Sequence, residues 1–458
     1  MRQGFIALIL AAGKGTRFKS EKIKVLHSLA GKSMLRLVLD CVLGLKPQKV
    51  YVVVGIQKKE VMKEAQSGKV EFVIQHKQLG TAHAVLAAKN ILRKEEEKDV
   101  LVINADLPLL RPETLRPMLI CHRKEGNSLT FLSAELENPT GFGRIIRSGN
   151  KIRVVEEKDA TPAERRIKTI NAGVYLFKIK DLLAALPKVS TQNKKGEYYL
   201  TDVHEILALQ SKKVGVYKTK QAGEIFGVNS RYELAQATEV LRQRKIKALT
   251  KQGVTVYDPN TSWIDLDVKI GEDTTVYSSV IIEGNSVIGR QCRLYPFVHI
   301  VDSRVGNRVK ILSSTMIEES VIEDDAQLGP FTHLRPKNVI RRKAKVGNFV
   351  EMKNTVFGRK SKAGHLSYLG DCEVEEDVNI GAGTITCNYD GKKKYKTYIK
   401  AGAFIGSGTE LVAPVKIGKK AYIGAGSTIT KDVSPGSLAV ARGKQIEKQR
   451  KVRKKRKK

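Results

Sequence analysis

The chain has 458 residues, with 82 Lys and Arg against 47 Asp and Glu and a formal charge of +35, which suits anionic partners such as nucleotides, sugar phosphates, coenzyme A or nucleic acid. At 41% hydrophobic and 28% charged the composition is globular, the length predicts two or three domains, and no apolar run reaches transmembrane length, which excludes a membrane span. Five cysteines, an odd number without a C-x-x-C pair, exclude a disulfide framework or zinc ribbon and place reduced thiols in a cytoplasm.

Phe5–Leu10 is an unbroken apolar run, the pattern of a buried parallel strand. Arg2 and the run to Ala12 have the outline of a short secretion signal, but a glycine turn follows at once, so the run reads as a core strand. That turn is Ala11-Ala12-Gly13-Lys14-Gly15-Thr16-Arg17. Its small residues let backbone amides approach a phosphate, and Lys14 and Arg17 add positive charge. By spacing alone it fits a plain tight turn equally well. It is not a dinucleotide fingerprint, because Phe18 stands at the third glycine. Gly31-Lys32-Ser33 is not a Walker motif either, since Leu26 stands where the first glycine belongs.

The alternation then continues with a helix over Met34–Leu45, strands at Val50–Val54 and Val70–Ile74, a helix over Thr81–Ile91 and a strand at Val100–Ile103. This predicts an α/β fold with a mostly parallel sheet, whose ligands bind at the carboxyl ends of the strands. Gly13–Arg17 and Asp106 both fall there. Taken alone, Asp106 at a strand end reads as a helix N-cap or turn residue, and Asn229 as a loop residue.

Together, Leu10-Ala11-Ala12-Gly13-x-Gly-Thr-Arg, Lys24-Val25-Leu26, Gln75 with Gln78-Leu79-Gly80-Thr81, Asp106-Leu107-Pro108, Gly141-Phe142-Gly143-Arg144, Glu156-x-Lys158-Asp159, Asn171-Ala172-Gly173 and Gly227-Val228-Asn229 resemble the sugar-1-phosphate nucleotidylyltransferases. The resemblance implies a Rossmann-like domain over 1–229. It implies nucleotide contacts from Leu10, Ala11, Ala12, Gly13, Gln75, Gly80 and Thr81, and phosphate contacts from Arg17 and Lys24. It puts the sugar near Gly143, Glu156 and Asn171, and Mg²⁺ on Asp106 and Asn229. Where that family often has an aromatic-Gly-Asp triplet, this chain has Asn104-Ala105-Asp106.

Ser230–Leu249 lacks Gly and Pro and reads as one long helix ended by Gln252-Gly253, a linker over 230–250. From Ile270 an aliphatic residue recurs every six positions, with two five-residue steps, through Met352. The beat is lost after Met352, returns at Val374 and Ile380, and runs again from Ile399 to Ile429, giving twenty-three positions in all. That period predicts a parallel β-helix over 251–443, three short strands to a coil, one aliphatic per strand pointing inward and glycines easing the corners. Met352–Val374 and Gly381–Ile399 read as inserted loops, often the binding face of a solenoid, and the beat ends after Ile429. His365 is the only histidine in the first of these, whereas His299 and His333 take turn-facing places in the regular repeat. Residues 444–458 hold ten Lys or Arg and one acid and read as a disordered basic tail.

The ladder resembles the left-handed β-helices of hexapeptide acyltransferases. With the first domain it makes nearly the whole chain similar to the bifunctional bacterial N-acetylglucosamine-1-phosphate uridylyltransferase/glucosamine-1-phosphate N-acetyltransferases. This implies UTP, N-acetylglucosamine-1-phosphate, glucosamine-1-phosphate and acetyl-CoA as ligands, and a homotrimer with coenzyme A between subunits. It implies His365 as base, a role for which histidine suits neutral pH. Arg335 and Lys353 would bind the sugar phosphate, and Tyr368, Asn379 and Lys394 the sugar. Ala382, Asn388, Tyr389, Ser407, Ala425 and Arg442 would line the coenzyme A groove. Without the resemblance, His365 reads as a surface histidine and the cations as solvated. Two other functions fit the residues less well. One is a single-activity nucleotidylyltransferase with a structural or regulatory β-helix. The other is a nucleic-acid binder, for which no motif is present.

Overall fold

The computed structural model describes residues 4–13, 15–55, 58–148 and 151–448. Lys14 and the tail from residue 449 lie outside the described residues. Contacts divide the chain into a unit ending at Leu241 and a unit beginning at Arg242. That boundary falls inside the helix Arg231–Lys251. Ser230 caps this helix, its Oγ accepting from Glu233 N at 3.2 Å, and Gly253 at φ +85° ends it.

In the first unit, the strand Phe5–Leu10 pairs in parallel with Val50–Val54 on one side and with Asp99–Asn104 on the other. The strand Val70–Ile74 extends the sheet beyond Val50–Val54. The strand Thr169–Lys178 runs antiparallel between Asp99–Asn104 and Leu129–Glu135, and Val214–Lys218 closes that edge in parallel. Phe5–Ile9 and Val50–Val54 are buried throughout, because helices cover both faces of the sheet. The expected helix over Thr81–Ile91 is two shorter ones, Thr81–Ala87 and Lys89–Lys94. Ser33, from the false Walker pattern, caps the helix Met34–Gly44 through its Oγ and Arg36 N at 3.0 Å.

The second unit is a parallel β-helix of three faces. The first carries Val276, Leu294 and Ile311, the second Ile282, Ile300 and Ile317, the third Ile270, Ile288 and Val305, each column continuing through successive coils. All twenty-three ladder positions are buried, none above 7% exposed. Asp273, Gln291, Arg308 and Asp325 hold positive φ angles at the corners, and so does Gly329 (φ +89°), which follows Leu328. Glycines after other ladder residues are needed because a Cβ on Gly289 would lie 2.5 Å from Gly306 O, and one on Gly271 2.8 Å from Arg290 N, in the next coil. One expectation is corrected, since Met352–Val374 is no insertion. Phe357, Ala363 and Leu369 fill the inward positions at 0% exposed, so the beat runs on with one large and one small residue. Only 388–396 is inserted, after the strand Ile385–Cys387 and before Thr397–Ile399. Past the last ladder residue, Ile429, the strand Leu438–Ala439 pairs on Tyr422–Ile423. His299 and His333 stand on strands of the second face, not at turns, each paired with a glutamate, Glu283 at 2.7 Å and Glu318 at 3.1 Å.

Candidate active sites

In the first unit the Gly-rich turn and the loop after Asn104 leave the same edge of the sheet, because Leu10 pairs with both Val53 and Asn104. A cleft of about 520 Å³ opens between them, walled by Leu10, Ala11, Ala12, Gly13, Lys24, Gln75, Gly80, Thr81, Asn104 and Asp106. Gly80 has φ +115°, and a Cβ there would lie 2.5 Å from Tyr198 O, so only glycine allows the segment at 198 to dock. Ala82 N donates to Tyr198 O at 2.9 Å and Leu200 N to Thr81 Oγ1 at 2.9 Å, which fixes the segment. Arg17 is exposed on the short turn Thr16–Phe18 and does not join the cleft wall.

At the end of the cleft Lys24 reaches two distant residues. Its Nζ donates to Asp106 Oδ2 at 2.8 Å and to Asn229 Oδ1 at 2.8 Å. Asn229 arrives there because Val228 N bonds Asp106 O at 2.9 Å. Gly15 (φ +62°) makes room for the lysine, since a Cβ on it would lie 2.5 Å from Lys24 Cβ. The two oxygens thus converge on one cation, and a carboxylate plus an amide oxygen is a donor set that a hard divalent ion accepts alongside substrate phosphates and water. Asp106 and Asn229 therefore fit a metal. Among the described residues no cluster of three His, Cys, Asp or Glu could hold one.

Next to the cleft lies a cavity of about 220 Å³ lined by Gly143, Glu156, Asn171, Tyr175, Tyr199, Thr201 and Asn229, with Asn104 and Asp106 shared between the two. Burial pushes the Glu156 carboxyl above the ordinary glutamate range, and a hydrogen bond from Thr201 Oγ1 at 3.2 Å opposes the rise. Asn171 Nδ2 donates to Tyr175 Oη at 2.7 Å, and its amide oxygen accepts from Gly173 N at 3.3 Å. Tyr199 and Thr201 were not legible as site residues. The run 190–201 has no periodicity, and its only cue is the helix start at Asp202.

In the second unit, Arg335 and Lys353 stand on successive coils of the second face, each one residue past an inward position, Leu334 and Met352. Adjacent strands lie about 4.8 Å apart, so the two cations form a stacked pair suited to a phosphate. Arg335 Nη1 also holds Glu351 Oε1 at 3.1 Å. Tyr368 lies on the next coil of this face, beside Glu351, and its hydroxyl lies over Gly370 where a Cβ would clash. His365 ends the strand Lys362–His365 on the first face, at the corner leading to Tyr368, with an exposed ring. Asn379 also lies on the first face, opposite Lys362, in a lysine-lined pocket with Lys343 and Lys360. Arg335, Lys353 and Tyr368 thus share the second face, whereas His365, at the corner leading to it, and Asn379 stand on the first. Tyr389 and Lys394 bridge each other within the inserted loop, and Asn388 Nδ2 anchors that loop to Asp371 Oδ2 at 2.6 Å.

Ala382, Ser407 and Ala425 stack on three consecutive coils at the same corner. Gly408 N bonds Ala382 O at 2.7 Å and Gly426 N bonds Ser407 O at 2.8 Å. A Cβ on Gly381 would lie 2.5 Å from Ser407 N, and one on Gly406 2.5 Å from Ala425 N. The corner is thus nearly bare backbone, a shallow wall along which an extended chain could lie. Arg442 Nη1 closes it on Ala425 O at 2.8 Å.

Two family models match the chain, Nucleotidyl transferase over residues 6–266 and Bacterial transferase hexapeptide (six repeats) over residues 396–431. A relative from Thermotoga maritima named Bifunctional protein GlmU is 48% identical over 451 residues, 98% of this chain and 99% of its own. Relatives of the same name from Lactobacillus delbrueckii subsp. bulgaricus (47%, covering 96% of this chain and 95% of theirs) and Syntrophomonas wolfei (45%, covering 96% and 98%) are similar in extent.

Proposed function

Because the chain belongs to the family of bifunctional GlmU proteins, we propose that its two units carry two successive transfers in the synthesis of UDP-N-acetylglucosamine. It acetylates glucosamine-1-phosphate from acetyl-CoA, then joins N-acetylglucosamine-1-phosphate to UTP with release of pyrophosphate. The observation that carries this reading is the presence in one chain of both a cleft ending in Lys24, Asp106 and Asn229 and a phosphate-suited cation pair beside His365.

In uridylyl transfer a sugar-phosphate oxygen attacks the α-phosphorus of UTP, and the bond to the β-phosphate oxygen breaks in line. Such transfer needs positioning and charge neutralisation more than acid–base chemistry. A divalent metal, which we take to be Mg²⁺, would be held by Asp106 and Asn229 and would supply charge neutralisation at the phosphates. Lys24 adds positive charge at the same place. Glu156 and Asn171 orient the sugar hydroxyls and acetamido group, and Gly80-Thr81 the base and ribose. Asn104 stands between the cleft and the sugar cavity, where the family often has an aromatic residue.

In acetyl transfer the sugar amine attacks the thioester carbonyl, the C–S bond breaks, and the coenzyme A thiolate leaves. The ammonium form has no lone pair, so the amine must lose a proton. His365 is suited to accept it, since its ring has no partner among the described residues. Arg335 and Lys353 would hold the phosphate, Tyr368 and Lys394 the sugar. Asn379 sits on another face from these, which supports a trimer in which it serves a neighbouring copy's site. Ala382, Asn388, Tyr389, Ser407, Ala425 and Arg442 would form the coenzyme A wall. No helix among the described residues is long and apolar enough to cross a membrane, and five free thiols suit a reducing cytoplasm.

Assaying the two half-reactions separately on purified protein tests the reading. Uridylyl transfer without any acetyl transfer would leave the β-helix a structural or regulatory element.

A further inference from the structure

We propose that the Lys24 ammonium is a built-in occupant of the metal position, and that a divalent ion binds Asp106 and Asn229 only by displacing Lys24, a move that nucleotide phosphates favour. The inference rests on the reading of the first unit as a metal-dependent uridylyl site.

The geometry leaves one place for two cations. Nζ of Lys24 is 2.8 Å from Asp106 Oδ2 and 2.8 Å from Asn229 Oδ1. An ion touching both oxygens at the roughly 2.1 Å of magnesium coordination would claim the same two acceptors and stand within a few ångströms of a second positive charge. The pair is sheltered, with side-chain exposures of 10% for Lys24 and 26% for Asp106. A sheltered carboxylate left without a counter-charge is strongly disfavoured, so the lysine stabilises the site until another cation replaces it.

Only the end of the lysine is free to move. Its backbone is tied into the turn Lys24–Leu26, where His27 N bonds Lys24 O at 3.2 Å, and its Cβ fills the space left by Gly15. The same cleft wall contains Gly13, Gly15 and Thr16, the backbone that would receive a triphosphate. Phosphate oxygens there offer the ammonium a second set of acceptors within the sweep of its stem. The nearest alternative cation on the metal-side segment, Arg231, is engaged with Phe18 O at 3.1 Å, which binds the segment carrying Asn229 to the phosphate turn. Nucleotide and metal therefore help each other. The phosphates draw Lys24 off Asp106 and Asn229, and the ion takes up the two oxygens it leaves. A metal alone must break two charge-assisted hydrogen bonds to enter.

The test uses the full chain and Mn²⁺ as probe, with free ion counted by electron paramagnetic resonance in the absence of nucleotide. Lys24→Met should bind Mn²⁺ roughly ten- to a hundredfold more tightly than the wild type, the weight of the charge-assisted bonds that no longer have to be broken. A second measurement needs no variant. Saturating Mn²⁺ without nucleotide should raise the labelling of Lys24 by an amine-acylating reagent several-fold, read by mass spectrometry, because the displaced amine becomes exposed. UTP added with the metal should suppress that labelling again. Unchanged or weaker Mn²⁺ binding by Lys24→Met, or Lys24 labelling indifferent to Mn²⁺, overturns the proposal. Asp106→Ala separates the two levels. If it loses Mn²⁺ while Lys24→Met equals the wild type, the metal site stands and the displacement fails. If it binds Mn²⁺ like the wild type, the metal site itself is elsewhere and the proposal falls with it.

Discussion

Phe357→Leu and Ala363→Val, made singly and together, measure whether the three faces of a coil share one interior. Phe357, Ala363 and Leu369 point inward from the three faces of the coil that also carries His365 and Tyr368, and each is 0% exposed. Phe357 stacks between Ile340 and Val374, and Ala363 between Val346 and Ile380. Trimming Phe357 to Leu should cost about 1–2 kcal/mol, below the 3–5 of a Phe→Ala truncation because most of the volume stays. Adding two methyls at Ala363 to a closed interior should cost about 1–3 kcal/mol. If the large side chain from one face fills the space left by the small one on another, the double variant recovers part of both losses. A coupling of about 1–2 kcal/mol then appears, within the range seen for touching residues. The chain has one tryptophan, Trp263, and it lies in the β-helix, so its fluorescence during urea unfolding reports on this unit. The two units need not unfold together, which makes a local probe necessary. Single losses that add within about 0.5 kcal/mol would refute a shared interior.

Asp106→Ala should abolish metal-dependent uridylyl transfer and leave acetyl transfer nearly intact, and normal turnover in both half-reactions would place the metal elsewhere. His365→Ala should lower acetyl-transfer kcat by roughly a hundred- to ten-thousand-fold while uridylyl transfer persists. The same loss in His299→Ala or His333→Ala instead would move the base to a residue that is paired with Glu283 or Glu318. Asp202, at the first turn of the helix Asp202–Leu209, is pushed up to about 6 by burial and then by Glu156, Glu205 and Asp159. Its folded pKa lies above the unfolded value of about 3.9, so ionisation works against the fold and stability declines as pH rises from about 4 to 6. Asp202→Asn should flatten that decline in a pH series of thermal melts. At pH 8 it should add about 1 kcal/mol, after allowing for solvent screening and the lost helix N-terminal charge. Identical slopes in variant and wild type would contradict this. Ending the chain at Gly443 should keep both activities, because Arg442, which contacts the corner backbone at Ala425 O, is retained. Loss of acetyl transfer on that truncation would show that the tail belongs to the coenzyme A groove.

Much of the architecture was legible in the sequence because it is local. An apolar run such as Phe5–Leu10, followed by a glycine turn, reads as a doubly covered strand, and a six-residue aliphatic period forces a coil of short strands. The same logic failed at Phe357, Ala363 and Leu369. A period constrains which way a residue points, while its size is set by what the other two faces leave over, and that is known only once the coil closes. The glycines of the ladder show the same limit. Their positions are periodic, but the atoms a Cβ would meet lie in the next coil, seventeen or eighteen residues along. At the sites, the Gly-rich turn and Asp106 were visible as residue types at strand ends. Their joining was not, since Lys24 lies 82 residues from Asp106 and 205 from Asn229. The docking of the segment at Tyr198 on Gly80, beside the smaller cavity, was equally hidden. Local propensity and periodicity are short-range properties of the chain, whereas the convergence of one ammonium and two oxygens depends on the register of three strands and a loop, which only the packed sheet decides.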